Sequence, residues 1–306
     1  MTTTNDETAV TACALALPGQ APDLPDGLPV ARHVPDEAHR LLGRRGLLAK
    51  EPATLLALCA AHLALGLPPG RPAAPPPLAD RTAVVVSSNL GNVHSVRRAA
   101  HAVRRGSYRD ISPLSVPNMS ANVIAGAIAL RYGLTGPNLM LCAGTISDLQ
   151  ALRLAALLVR ASRAERVVVV GVEPDDATTR ALRTARASES EETRHRAQAG
   201  CVIIEPSPTQ LRADTVLLGR VVHHGPHTPD SPVPDSSIIF RPDSVGPPLP
   251  RPAHGADGVV RTAISTARLR GQTGSGWARV TSGDPRDGYV SVLLRRPGRS
   301  GLRKAD

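Results

Sequence analysis

Apolar residues fall along this chain in two kinds of run, one short and β-branched, the other longer and helical in spacing. Thr8 to Ala16, Thr82-Ala-Val-Val-Val-Ser87, Leu139 to Cys142, Arg166-Val-Val-Val-Val-Gly171 and Gly200-Cys-Val-Ile-Ile-Glu205 are of the first kind. Short continuous apolar runs bounded by turn residues predict strands buried on both faces. Between them, residues 38–49, 52–65, 91–105, 122–132, 147–161 and 175–188 predict helices. In the second of these, Leu55, Leu58, Cys59 and His62 stand at i, i+3, i+4 and i+7, which predicts one apolar face. Gly133 stops the helix from 122, and Ser147 or Asp148 is a fitting N-cap for the one at 147–161. Pro113 and Pro117 argue against helix and for extended chain over 111–117. The alternation predicts an α/β sandwich, with helices covering a mixed sheet.

The pattern changes after about residue 206. A strand at 216–223, a Pro-loaded stretch at 225–256, a helix over 259–269 and strands at 278–281 and 289–294 follow. The predicted organisation is a first half, 1–206, a reduced second half, 207–298, and a disordered tail, 299–306.

Composition narrows the function classes. With 306 residues and 42% hydrophobic content, the chain has ample apolar surface for a packed core. Aromatics make up only 2%, which argues against a nucleic-acid binder built on base stacking. The acidic start, Met1 to Glu7, carries no secretory pattern. The apolar stretch Leu55 to Leu67 is shorter than the ~20 residues a bilayer needs. A soluble, cytoplasmic protein with neither a membrane nor a nucleic-acid partner is expected. Four widely spaced cysteines, Cys13, Cys59, Cys142 and Cys201, sit in apolar company; they form neither a disulfide framework nor a zinc pattern, and core positions are expected. The net charge of +10 is carried mainly by arginine. Arg97-Arg98 and Arg104-Arg105, one helical repeat apart, are the best candidate for a basic face that attracts an acidic partner; a solvated Arg-rich surface is the alternative.

Residues 111–138, Ile-Ser-Pro-Leu-Ser-Val-Pro-Asn-Met-Ser-Ala-Asn-Val-Ile-Ala-Gly-Ala-Ile-Ala-Leu-Arg-Tyr-Gly-Leu-Thr-Gly-Pro-Asn, closely resemble the β-ketoacyl synthases of fatty-acid and polyketide assembly. Ser87-Ser-Asn-Leu-Gly-Asn92, Val168 to Glu173 and Ala199 to Glu205 resemble further motifs of that family in the same order, and the likeness spans about residues 8–206. The resemblance implies a thiolase-like layered sandwich with mixed sheets, here with a truncated second half. It also implies a two-fold partnership in which residues 112–119 lie at the interface and line the end of the partner's acyl pocket. Leu90, Ser115, Met119 and Asn122 are the implied tunnel or interface positions.

The departures bear on chemistry. Counting from Asn138 of Gly-Pro-Asn, the family's nucleophilic Cys is replaced by Thr145, within Gly144-Thr-Ile-Ser-Asp148. A thiolate there is activated by the N-terminus of the following helix. Threonine needs an adjacent base, and Asp148 brings a carboxylate to the place where a thiolate would form, where like charge opposes ionisation. Cys142 lies three residues early, inside the predicted strand. The family's histidines and Lys lack clear counterparts: His254 precedes a helix directly, and His223, His224 and His227 lie at a strand end entering the Pro-rich stretch. Thr281-Ser-Gly-Asp-Pro-Arg-Asp-Gly288 stands where the family has its Phe-bearing gating loop, and the lone Phe240 lies elsewhere. By resemblance, the chain is a catalytically silent homologue, most like the chain-length factor of a type II polyketide ketosynthase heterodimer. The implied partners are a catalytic ketosynthase subunit and an acyl carrier protein. No cofactor or metal is implied beyond the phosphopantetheine of the carrier. An active acyltransferase using Cys142 or Thr145 is the alternative.

Overall fold

The computed structural model describes residues 7–19, 24–185, 196–212, 214–225, 255–284 and 286–298. The end of the predicted helix at 175–188, most of the Pro-rich stretch and the tail 299–306 lie outside them, as do His195, His227, Phe240 and His254.

Among the described residues, nine strands form one hydrogen-bonded sheet: β1 (Thr8–Ala16), β2 (Val30–Ala31), β3 (Thr82–Ser87), β4 (Asn138–Leu141), β5 (Arg166–Glu173), β6 (Gln198–Pro206), β7 (Val216–His223), β8 (Gly276–Asp284) and β9 (Gly288–Arg296), in the order β4-β3-β5-β6-β1-β7-β9-β8, with β2 beside β1. Strands β4, β3 and β5 are parallel, and β6 runs against both β5 and β1. The valine runs are buried on both faces, and the two-residue period of a strand divides them between two cores. Val84, Val86, Val168 and Val170 face one, and Val85, Val167 and Val169 the other.

The first core is roofed by α1 (Ala38–Leu42), α2 (Pro52–Ala64) and α4 (Val123–Tyr132). Pro52 begins α2, where its missing N–H costs nothing, and Gly133 ends α4 in the left-handed conformation. Burial in α2 takes in residues from Ala53 to Ala64 all round the helix, while Leu55 and Leu63 are among its less buried side chains. The expected single apolar face is thus wrong: small alanines let neighbours close on every side. His62 and Tyr132 are two polar groups buried in this layer. The ring of His62 gives its Nε2–H to the Pro68 carbonyl at 2.9 Å, and the Tyr132 hydroxyl lies 3.0 Å from the Leu58 carbonyl it donates to. Burial, foremost, holds the His62 pKa below its ordinary value, and the nearby Arg131 adds to this.

The second core holds α5 (Ser147–Arg160) and α7 (Asp257–Gly271). Both pack against strands of the first half and against β8 and β9, so the sheet folds back around them. It does so at β1, whose first three residues pair with β7 while its full length pairs with β6. The result is a layered sandwich: outer helices, sheet, central helices, sheet. This is the thiolase-like arrangement expected. Several local expectations change. The segment from Pro113 to Met119 is a 3-10 turn rather than extended, since 3-10 geometry tolerates Pro at its start. The first helix stops at Leu42, where Gly43 adopts positive φ. Ser147 and Asp148 are inside α5 instead of capping it. Among the described residues, no single helix is long and apolar enough to cross a membrane.

Asp148 ties the central layer together. It is buried, and its carboxylate accepts hydrogen bonds from the Gly258 N–H at 2.5 Å, the Ser282 hydroxyl at 3.1 Å and the Leu149 N–H at 2.7 Å. Those groups belong to the start of α7, to β8 and to α5 itself. A Cβ on Gly258 would lie 2.7 Å from the Asp148 carboxylate, so a side chain there would force the two helix starts apart. Burial pushes the Asp148 pKa up to about 6, although its three donors act the other way and Asp257 adds repulsion. That is above the ~3.9 of an unfolded aspartate. The native state therefore binds the proton more tightly between about pH 4 and 6, and this contribution to stability is lost as pH rises through that window. In thermal melts, Asp148→Asn should gain on the wild type as pH rises from 4 to 6.5. A difference between the two proteins that does not change with pH would contradict this reading.

Candidate functional site

The position expected to replace the family nucleophile lies where three loops meet. After β4 the chain makes a 3-10 turn, Gly144–Ile146, and enters α5. Ser147 secures this turn from below, accepting from the Ala143 N–H at 3.2 Å and donating to the Leu141 carbonyl at 3.1 Å. Asn89, in the loop after β3, clasps Gly144 on both sides. Its side-chain amide donates to the Gly144 carbonyl at 2.9 Å and accepts from the Gly144 N–H at 3.2 Å. Glu173, fully buried at the end of β5, fixes that loop in turn. Its carboxylate accepts from the backbone N–H of Asn89 at 2.6 Å and of Leu90 at 3.1 Å.

Thr145 stands on this platform, and the tip of the β8–β9 hairpin meets it. Asp287 accepts hydrogen bonds from the Thr145 N–H at 2.7 Å and from the Thr145 hydroxyl at 3.0 Å, both at the same oxygen. The tip is preset for this contact, because Asp284 accepts from the N–H groups of Arg286 at 2.8 Å and Asp287 at 2.7 Å. Gly144 has φ +68°, and a Cβ there would collide with the Asp287 carboxylate. Asp287 therefore takes the donor that the start of the 3-10 turn and α5 presents. Sequence reasoning placed a carboxylate near Thr145 but chose the wrong one: Asp148 points away, into the junction of α5 and α7. The segment 281–288, which stands where the family has its Phe-bearing gating loop, is the one that supplies Asp287. An Asp directly before the glycine of a hairpin turn is common enough that it gives no further sequence signal.

Cys142 is exposed, one residue beyond β4, so the core position expected for it is not where it lies. Its thiol approaches the Ser88 carbonyl at 2.9 Å, and partial burial, with Glu173 nearby, pushes its pKa up. That environment opposes a thiolate. Cys13, Cys59 and Cys201 are buried as expected. His223 reaches Gln150 of α5, and His224 bonds the Ser291 hydroxyl at 2.6 Å. Among the described residues, no group of histidine, cysteine and carboxylate side chains is arranged to hold a metal ion.

The expected tunnel and interface positions gather at one corner. The Asn92 amide donates to the Ser120 carbonyl at 3.0 Å, which brings the loop carrying Leu90 beside Met119 and Asn122. Asn122 is exposed and donates to the Asn138 side chain at 2.7 Å. Ser115 is partly exposed, and its hydroxyl closes its own turn on the Ser112 carbonyl at 2.7 Å. Arg97, Arg98, Arg104 and Arg105 are exposed on and just past α3 (Val93–Arg104), a helix that buries none of its residues. The Glu51 carboxylate holds α3 to α2 by accepting from the Ser95 N–H at 3.0 Å and from its hydroxyl.

A family model described as "Beta-ketoacyl synthase, N-terminal domain" matches residues 41–200, more than half of the chain. The 3-oxoacyl-[acyl-carrier-protein] synthase 2 of Vibrio harveyi is 28% identical over 95 residues, 31% of this chain and 23% of that protein. The protein of the same name from Coxiella burnetii is 25% identical over an equal length. The chain thus matches about a quarter of the length of these curated relatives. Among solved structures, the ishigamide ketosynthase/chain length factor superposes with a TM-score of 0.67 at 19% identity, covering 95% of this chain and 99% of that one. A type II PKS acyl-carrier protein in complex with its ketosynthase bound to the hexaketide gives 0.63 at 12% identity, covering 95% and 99%. A β-ketoacyl synthase from Burkholderia phymatum STM815 gives 0.58 at 12%, covering 96% and 100%. These likenesses agree with the layered fold, and the match over residues 41–200 makes this chain a member of the β-ketoacyl synthase family.

Proposed function

We propose that the chain is the non-catalytic, chain-length-factor-like subunit of a type II polyketide or fatty-acid-like ketosynthase heterodimer, and that it completes the acyl tunnel of a catalytic partner. The observation that carries this reading is Thr145 with both its N–H and its hydroxyl on the Asp287 carboxylate. A threonine becomes a nucleophile only when a base removes its proton and the developing oxyanion finds a donor. Here Asp287 stands beside the hydroxyl where a base would, but the same carboxylate oxygen also takes the Thr145 N–H, so the amide that would meet a developing oxyanion is engaged by an anion. Cys142, the other candidate, has its thiol pKa raised. The fold neighbours support the partnership, since one is described as a ketosynthase/chain length factor and another as a ketosynthase in complex with its acyl-carrier protein.

The surface suits a large partner. Strand β4 ends the sheet and pairs only with β3 among the described residues, which leaves an open edge. Around it lie exposed apolar side chains: Leu139 on β4, Leu130 on α4 at 84% exposure, and Leu114 and Val116 on the 3-10 turn. Exposed large apolar side chains on neighbouring elements suit a protein–protein contact. A catalytic ketosynthase seated here would meet Leu90, Ser115, Met119 and Asn122 at the same corner. The exposed arginines of α3 offer an acidic acyl carrier protein a cationic approach.

Co-expressed with a catalytic ketosynthase from the same assembly line, the chain should elute with it as one heterodimer at micromolar concentration. The interface should bury more than about 2,000 Å² in total, as permanent complexes do. Separate elution would count against the proposal. In the reconstituted pair, Ser115→Phe should shorten the product while leaving the first condensations intact, because overpacking an apolar slot costs about 1–3 kcal/mol. Met119→Trp should act in the same direction. A product-length distribution unchanged in both variants, with the heterodimer intact, would remove these residues from the tunnel.

A further inference from the structure

The geometry points to Asp287 as a positioning residue that serves as an internal anion: it occupies the amide at the start of the Thr145 turn, so that this position neither stabilises a thiolate nor receives an acyl carbonyl oxygen. This goes beyond loss of the cysteine. It assigns a second, independent barrier to chemistry, placed on a different element, the β8–β9 hairpin. It rests on the reading of position 145 as a vestigial nucleophile site.

Several features show that the contact is built. The Asp284 carboxylate orders the backbone of Arg286 and Asp287 before the tip reaches Thr145. The hairpin is anchored on its far side too, where the Tyr289 N–H donates to the Gly225 carbonyl at 2.8 Å and the His224 N–H donates to the Tyr289 carbonyl at 2.9 Å. On the receiving side, Asn89 holds Gly144 by both backbone groups, which fixes the turn, and the Thr145 N–H that follows is met by Asp287. Gly144 leaves room for that carboxylate, which any Cβ would displace. An amide at a helix start favours negative charge. A carboxylate already bound at 2.7 Å meets that preference and repels a second anion.

The other charged groups around the site leave this role to Asp287. Asp148, on α5, faces Gly258 and Ser282. Glu173, on β5, lies behind the Asn89 loop. Cys142 faces the Ser88 carbonyl, His223 of β7 reaches α5 at Gln150, and Asp284 is engaged within the hairpin.

The test introduces a thiol as a reporter. Thr145→Cys is made in the full chain together with Cys142→Ser, the other three cysteines being buried. The rate of alkylation by iodoacetamide is followed by intact-protein mass from pH 5 to 10. The same profile is taken with Asp287→Asn, which keeps an acceptor oxygen but no charge, and with Asp287→Gly, which removes both. With Asp287 present, the reaction midpoint should lie above the ~8.5 of an ordinary cysteine. Either replacement should lower it by at least about one unit, toward the range of thiols at helix N-termini, and should speed the reaction at pH 7 by roughly tenfold. Matching midpoints and rates in all three proteins would overturn the assignment. A shift with Asp287→Gly alone would overturn the electrostatic part, because a merely structural role predicts that pattern. The readout is reagent chemistry on a single chain, so its outcome is separate from that of the heterodimer experiments.

Discussion

Two helix N-termini meet inside this protein, and the electrostatics of that meeting shape the rest. The apolar faces of α5 and α7 drive both helices into one layer between sheet surfaces, where little water can reach their first N–H groups. Each N-terminus carries roughly half a positive charge. Asp148 answers both at once, accepting from Leu149 on its own helix and from Gly258 on the other. Asp257, at the start of α7, is balanced by Arg261 one turn on, at 2.8 Å. Burial raises the Asp148 pKa even with three donors present, so the desolvation cost outweighs the hydrogen bonds.

The same property governs the vestigial site one turn earlier. A helix start is a ready anion site, and it can serve catalysis by stabilising a thiolate or an oxyanion. Here the 3-10 turn before α5 offers its amide to Asp287. The hairpin that carries Asp287 belongs to the reduced second half of the chain, so that half closes the site as well as covering the central helices. The part of the chain that matches the family model also carries the Glu173 anchor and the Asn89 clasp, with β4 at the edge of the sheet. Retained architecture beside a filled site is what a subunit needs if its task is to shape a neighbour's tunnel.

Much of the fold was legible in the sequence because valine runs and glycine stops act locally. Strand β1 ran from Thr8 to Ala16 as read, and Gly133 ended α4 as its left-handed C-cap. The order of motifs over 87–138 carried the layered architecture. Features set by tertiary contact were not legible. Helix α2 showed one face by spacing, yet its alanines allow burial all round. Cys142 lay in an apolar run, but the strand ends at Leu141 and leaves it outside. The carboxylate at Thr145 comes from 142 positions away in sequence, and no local pattern could distinguish Asp287 from Asp148. At 113–119 the prolines argued for extended chain, and the 3-10 turn found there was not legible from them.

The central claim is that acyl chemistry belongs to the partner and not to this chain. Its most direct test is the mass of each subunit after the heterodimer is incubated with an acyl thioester and separated under denaturing conditions. The account predicts one acyl group per heterodimer, carried wholly by the catalytic partner, with this chain at its unmodified mass. A stoichiometric acyl adduct on this chain, at Thr145 or Cys142, would contradict it.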